Sequence, residues 1–216
     1  MRSTALLLLA MMYIVPAEAQ TPLETTLVVQ QGGREIGREE FTLRPGRGRG
    51  APGTTLIAAA RYPARNPTTQ LAATLERTAE FALAKFQLDV ETDGAVTVIL
   101  AAGSGARLIV RTVAAGSESG RELPGGPDVV LLDDRVYSLY ATVADLATPA
   151  GRRLTAIFPR TGTRATLTAR KEAGSPGGTV KVALTGDVAG TLLADAQGRL
   201  LRLDLPAQGI VVVRAE

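Results

Sequence analysis

Glu80-Phe-Ala-Leu-Ala-Lys-Phe-Gln-Leu-Asp-Val-Glu91 is followed by Thr92-Asp93-Gly94, Ala95-Val-Thr-Val-Ile-Leu-Ala-Ala102, Gly103-Ser104-Gly105 and Ala106-Arg-Leu-Ile-Val-Arg-Thr-Val-Ala114. Phe86, Leu88 and Val90 alternate with Lys85, Gln87, Asp89 and Glu91, which gives an extended chain one apolar and one charged face. Asp93-Gly94 and Gly103-Ser104-Gly105 supply residues tolerant of positive φ, as tight antiparallel hairpins require. The stretch therefore reads as a three-strand β-meander with one wet and one dry face. It specifies a fold, not an activity.

The same pattern recurs in both directions. Leu23 to Gln31 and Ile36 to Leu43 flank a Gly32-Gly33-Arg34-Glu35 turn, and Arg44 to Gly53 is too rich in Gly and Pro for regular structure. Thr54 to Arg61 resumes a strand. Thr69 to Arg77 fits both helical and alternating periods; we read it as a strand because it sits among hairpins and leads into the meander. Ala114 to Pro127 has the composition of a loop, and Asp128 to Leu132 that of a short buried strand. Strands return at Arg153 to Phe158, Arg164 to Lys171 and Thr179 to Leu184. Gly190 to Ala194, Arg199 to Leu205 and Ile210 to Arg214 form a second three-strand meander.

One segment changes period. Val136, Tyr140 and Val143 recur at helical spacing, and Thr148-Pro149-Ala150-Gly151 would end a helix. Asp134 to Ala147 is thus the expected helix, with Asp133 or Asp134 as its N-cap. Alternation through Tyr137, Leu139, Ala141 and Val143 leaves a strand as the alternative. The fold class is mainly β: a single antiparallel meander sheet of about a dozen strands, curved or wrapped like a barrel or half-barrel, with at most one or two short helices.

Met1 to Ala19 reads as a signal peptide: Arg2 is basic, Ala5 to Val15 is apolar, and Ala17-Glu18-Ala19 matches a small-x-small cleavage site. The apolar run is shorter than the roughly 20 residues of a spanning helix. The expectation is cleavage before Gln20, a single β-rich domain over residues 20–216, and a periplasmic or extracellular protein that does not span the membrane after cleavage. No cysteine follows the cleavage site, so lipid modification there is excluded. With no Cys anywhere, stability cannot depend on disulfides.

The absence of His and Cys also excludes a Ser-His-Asp triad, a Cys nucleophile and the usual zinc and copper ligand sets. The sequence points to no metal and no other cofactor. Gly48-Arg49-Gly50-Ala51-Pro52-Gly53 matches G-x-G-x-x-G, but no phosphate-facing helix follows, so it reads as a loop. Arg44, Arg47 and Arg49 in that loop are candidate anion contacts. They lack interleaved aromatics, and no nucleic-acid partner is implied. Tyr137 and Tyr140, neighbours at i, i+3 on a helix, are candidate ligand- or partner-binding residues together with Asp133 and Asp134. Glu118 and Glu122 could join those two aspartates in a carboxylate-based hydrolytic site, the third of three readings.

Gly32-Gly33-Arg34-Glu35-Ile36-Gly37, Pro127-Asp128-Val129-Val130-Leu131-Leu132-Asp133-Asp134 and Asp195-Ala196-Gln197-Gly198-Arg199-Leu200-Leu201-Arg202-Leu203, with Arg214 near the end, resemble exported bacterial β-rich families of unassigned function. Those families are broadly similar to the curved antiparallel sheet of LolA-like lipoprotein carriers. The resemblance implies a wrapped sheet with a concave face and a covering helix, and it carries no catalytic residue. The leading expectation is a non-enzymatic exported binding or envelope-assembly protein holding a lipid-like ligand or a partner segment in an apolar concavity. The runner-up is a scaffold domain whose sheet is filled by its own core.

Overall fold

The computed structural model describes residues 24–173 and 176–215, so the expected signal peptide lies outside the described residues. The strands are β1 Thr25–Gln31, β2 Arg34–Pro45, β3 Thr54–Tyr62, β4 Thr69–Arg77, β5 Leu83–Thr92, β6 Ala95–Ser104, β7 Arg107–Ala114, β8 Ser117–Pro124, β9 Val129–Leu131, β10 Arg152–Phe158, β11 Thr163–Lys171, β12 Val180–Gly186, β13 Gly190–Ala194, β14 Leu200–Leu205 and β15 Ile210–Arg214. They form one 15-stranded sheet in the order β8-β7-β6-β5-β4-β3-β2-β1-β15-β14-β13-β12-β11-β10-β9. Every pairing is antiparallel except β9 with β10. The mainly β, single-sheet expectation holds, with more strands than a dozen, and Thr69 to Arg77 is the strand β4.

Alternation puts one face of most strands inside: Leu27 and Val29 on β1, Leu56, Ala58 and Ala60 on β3, Phe86, Leu88 and Val90 on β5, Val182 and Leu184 on β12. Residues from β1 to β15 belong to one buried cluster, so the sheet curls around a common interior. Its edges do not join by strand pairing. Arg121 of β8 instead donates to the Pro159 carbonyl at 2.8 Å, beyond β10.

A buried rod fills the interior. A 3-10 turn, Tyr137–Tyr140, runs into the short helix α1, Ala141–Leu146. From Val136 to Ala147 every residue is buried except Asp145, which is half-buried. A helix apolar all round has nowhere stable but a core, and ten residues would not hold a helix in water alone. The expected helix is therefore present but starts three residues later than Asp134, since Val136 is still non-helical at φ −125°, ψ 83°.

The loop expected from Ala114 to Pro127 is corrected. It contains β8, paired with β7 from Arg107↔Pro124 to Ala114↔Ser117. Both faces of this edge strand are wet, so Ser-Glu-Ser-Gly-Arg-Glu shows no apolar alternation. Its charges, Gly120 and Pro124 also suit an edge that must not recruit other strands. The second meander turn centres on Gly105 rather than Gly103. Gly103 lies within β6, where a Cβ would stand 2.2 Å from the Leu83 carbonyl oxygen.

Candidate functional site

Two charged side chains stand on the inward parity of their strands. Glu39 follows Gly37 and precedes Phe41 on β2, and Arg77 follows Leu71, Ala73 and Leu75 on β4. Glu39 is fully buried and takes the first turn of the rod: its two carboxylate oxygens accept the backbone N–H groups of Tyr137 at 2.8 Å and Ser138 at 3.0 Å. Burial pushes the Glu39 carboxyl up to about 7, against the opposing pull of those donors. Arg77 takes the other end. It donates to Asp145 at 2.9 Å, to the Thr142 carbonyl at 3.4 Å and to the Phe81 carbonyl at 3.0 Å. An anion at a helix start and a cation near its end complement the exposed backbone groups and their dipole. Burial raises the Asp145 carboxyl, with Arg77 pulling it back.

The expected N-cap is corrected accordingly. Asp133 is buried, but its Oδ1 accepts the Arg135 N–H at 2.8 Å, and its two oxygens take Arg160 at 3.0 and 3.2 Å. Asp134 is exposed and pairs with the same Arg160. Neither reaches the helix start, because both carboxylates are consumed three or four residues upstream of it.

Two clefts open at opposite ends of the rod. At the Tyr137 end, a cleft of about 680 Å³ is lined by Gln31, Glu35, Ile36, Tyr62, Pro63, Thr68, Thr69, Asp134, Arg135, Tyr137, Gln208 and Ile210. At the Asp145 end, a cleft of about 610 Å³ lies between the start of β5, the β6–β7 turn and the link from β8 to β9. Its walls include Ala82, Leu83, Ala84, Leu108, Pro127 and Val129, with Arg47 and Thr78 at its border. Glycines let these segments meet: at Gly125 a Cβ would stand 2.6 Å from the Arg107 backbone.

The candidate residues thus separate. Tyr137 and Asp134 line the first cleft; Asp133 and Asp134 border a smaller hollow of about 240 Å³ with Phe158 and Arg160. Tyr140 packs in the core, its ring 6.4 Å from that of Tyr137. Of the three loop arginines, Arg47 borders the second cleft, its Nε donating to the Pro52 carbonyl at 2.8 Å, while Arg44 and Arg49 are exposed. The four carboxylates of the hydrolytic reading have separate commitments: Glu118 to Arg111, Glu122 to Arg107, and both aspartates to Arg160. Among the described residues, no group of three or more His, Cys, Asp or Glu side chains could hold a metal ion. Nor is any helix there long and apolar enough to cross a membrane.

Glu39, Arg77 and Arg135 are the residues that sequence reading missed. The first two carry a signal, a charge on the apolar parity of a strand.

No protein-family model matches the chain, and no curated protein matches it significantly. Among solved structures it is similar to a DUF1089 family protein from Pseudomonas aeruginosa, at 14% identity over 92% of this chain and 98% of that one, with a TM-score of 0.43. That likeness is too distant to bear on function, and the comparisons provide no link to LolA-like carriers.

Proposed function

We propose that this chain is a non-enzymatic exported binding or envelope-assembly protein that receives the apolar part of a lipid-like ligand, or an apolar partner segment, in the cleft bordered by Arg47. One observation carries the reading. The interior of the sheet is occupied by the rod, whereas the cleft between β5, β7 and β9 offers mostly apolar walls and a volume within the roughly 300–1,000 Å³ of small-molecule sites. Arg47 at its border suits a ligand whose apolar chain ends in an anionic group. The fold-level analogy to lipoprotein carriers is consistent with this and adds no residue.

Native mass spectrometry of protein recovered from the periplasm, with extraction of bound lipid, tests the proposal. Ala84 is half-buried at the register shift between β4 and β5 and lines the cleft, so Ala84→Trp should fill it and lower occupancy while the protein still folds. Ligand-free protein in repeated preparations, or occupancy indifferent to Ala84→Trp, would favour the second reading, a scaffold whose curved sheet is filled by its own rod. N-terminal sequencing of exported material should begin at Gln20. A mature protein retaining Leu6 to Leu9 would remove the basis for export.

A further inference from the structure

The cleft at the Tyr137 end contains a cation and a hydroxyl that the protein itself leaves uncommitted. Arg135 is fixed at both backbone ends: its N–H donates to Asp133 Oδ1 at 2.8 Å, and its carbonyl accepts the Tyr62 hydroxyl at 2.9 Å. Its guanidinium lies over the Tyr62 ring, 5.4 Å from the centroid, and has no carboxylate partner among the described residues. The platform beneath it is built by sequence. Gly37 makes room for the Tyr62 ring, whose Cδ1 and Cε1 would stand 2.3 Å from any Cβ there. Tyr137 lines the same cleft, and no described residue hydrogen-bonds its hydroxyl, which is not among the buried polar atoms and so is open to a ligand in the cleft.

The acids at the rim are already paired. Glu35 accepts from Arg38 at 2.8 Å, and Asp134 is held by Arg160. Among the described residues that line the cleft, Arg135 is the one charge left over, a single positive charge that matches a singly charged anion and leaves the second charge of a dianion uncompensated. Ile36, Pro63 and Ile210 supply apolar wall. We infer that this cleft binds a monocarboxylate on a compact apolar or aromatic body, the carboxylate accepting from the Arg135 guanidinium and the Tyr137 hydroxyl. The site is separate from the apolar cleft at the opposite end, and stands or falls independently of the function proposed there.

The test is an amide-resolved NMR titration of the purified protein near pH 7 with benzoate, its neutral isostere benzamide, and phenyl phosphate. Benzoate should shift the Arg135 and Tyr137 amides and bind at least about tenfold more tightly than benzamide, as a charge-assisted hydrogen bond allows. Phenyl phosphate should bind more weakly than benzoate. Arg135→Gln should erase the preference for benzoate over benzamide, Tyr137→Phe should weaken benzoate several-fold while keeping the ring, and Ala84→Trp should change neither. The inference is overturned if benzoate does not saturate, if benzamide matches it, if the shifts centre on the Arg47 loop, or if the preference survives Arg135→Gln. Should Arg135→Gln not fold, Tyr137→Phe decides alone: benzoate affinity unchanged within about twofold overturns it.

Discussion

Glu39→Gln separates the two influences on the carboxylate that starts the rod. In the folded protein burial raises this group from 4.5 to about 7, so the native state holds the proton more tightly than the unfolded chain does. Between those values stability falls as pH rises: the contribution is fully present below pH 4.5 and is lost as pH climbs through 7. Two and a half pKa units correspond to about 3 kcal/mol. Gln cannot titrate and keeps one acceptor oxygen, leaving one of the two backbone N–H groups facing an amide at a cost of roughly 1–3 kcal/mol. The variant should therefore be the less stable protein at pH 5, and the gap should close by about 3 kcal/mol by pH 8.5. Urea unfolding followed by circular dichroism across that range measures it. The chain has no histidine to blur the window, and Asp145, also raised by burial, titrates in both proteins and cancels. Parallel profiles for wild type and variant would refute the reasoning, because they would mean that the helix N–H groups outweigh burial and Glu39 stays ionised throughout.

At the other end of the rod, Arg77→Ala should cost about 3–5 kcal/mol by stranding Asp145, while Arg77→Leu with Asp145→Leu should recover much of that in the same urea assay. Asp133→Ala should cost about 2–3 kcal/mol, since it strips a buried partner from Arg160, and exposed Asp134→Ala should stay within about 0.5 kcal/mol; equal losses would contradict their different burial. Gly37→Ala should destabilise by about 1–3 kcal/mol and displace the Tyr62 ring, read as a change in near-ultraviolet circular dichroism.

The meander was legible because three signals agreed over Glu80 to Ala114: period-two alternation, turn residues with positive φ, and β-branched runs. Asp93 and Gly94 indeed sit at φ 50° and 81°. β8 was illegible for the converse reason. An edge strand wet on both faces needs only backbone partners, and those leave no mark on side-chain pattern. The rod was found within three residues, but its caps were not, since proximity in sequence pointed to Asp133 and Asp134. The group that caps it sits 98 residues away, and the Arg77–Asp145 pair spans 68. Sequence could expose Glu39 and Arg77 as misfits on apolar faces; it could not name what they meet. Of the candidate site residues, Tyr137 and Asp134 share a cleft whose third member, Arg135, lay between them unremarked.

The pairing of β1 with β15 has a consequence for how the chain is made. Leu27 lies beside Arg214, so the middle of the sheet is a junction between β1 and β15, the two ends of the described strand order in sequence. Each half can form from neighbouring hairpins, which fold quickly because their loops are short. Until residues 210–214 emerge, however, Thr-Thr-Leu-Val-Val presents an open, apolar edge to whatever is nearby. A chain in which β15 has not yet docked would hold two nearly complete half-sheets with adhesive margins, a species more open to aggregation than the finished fold.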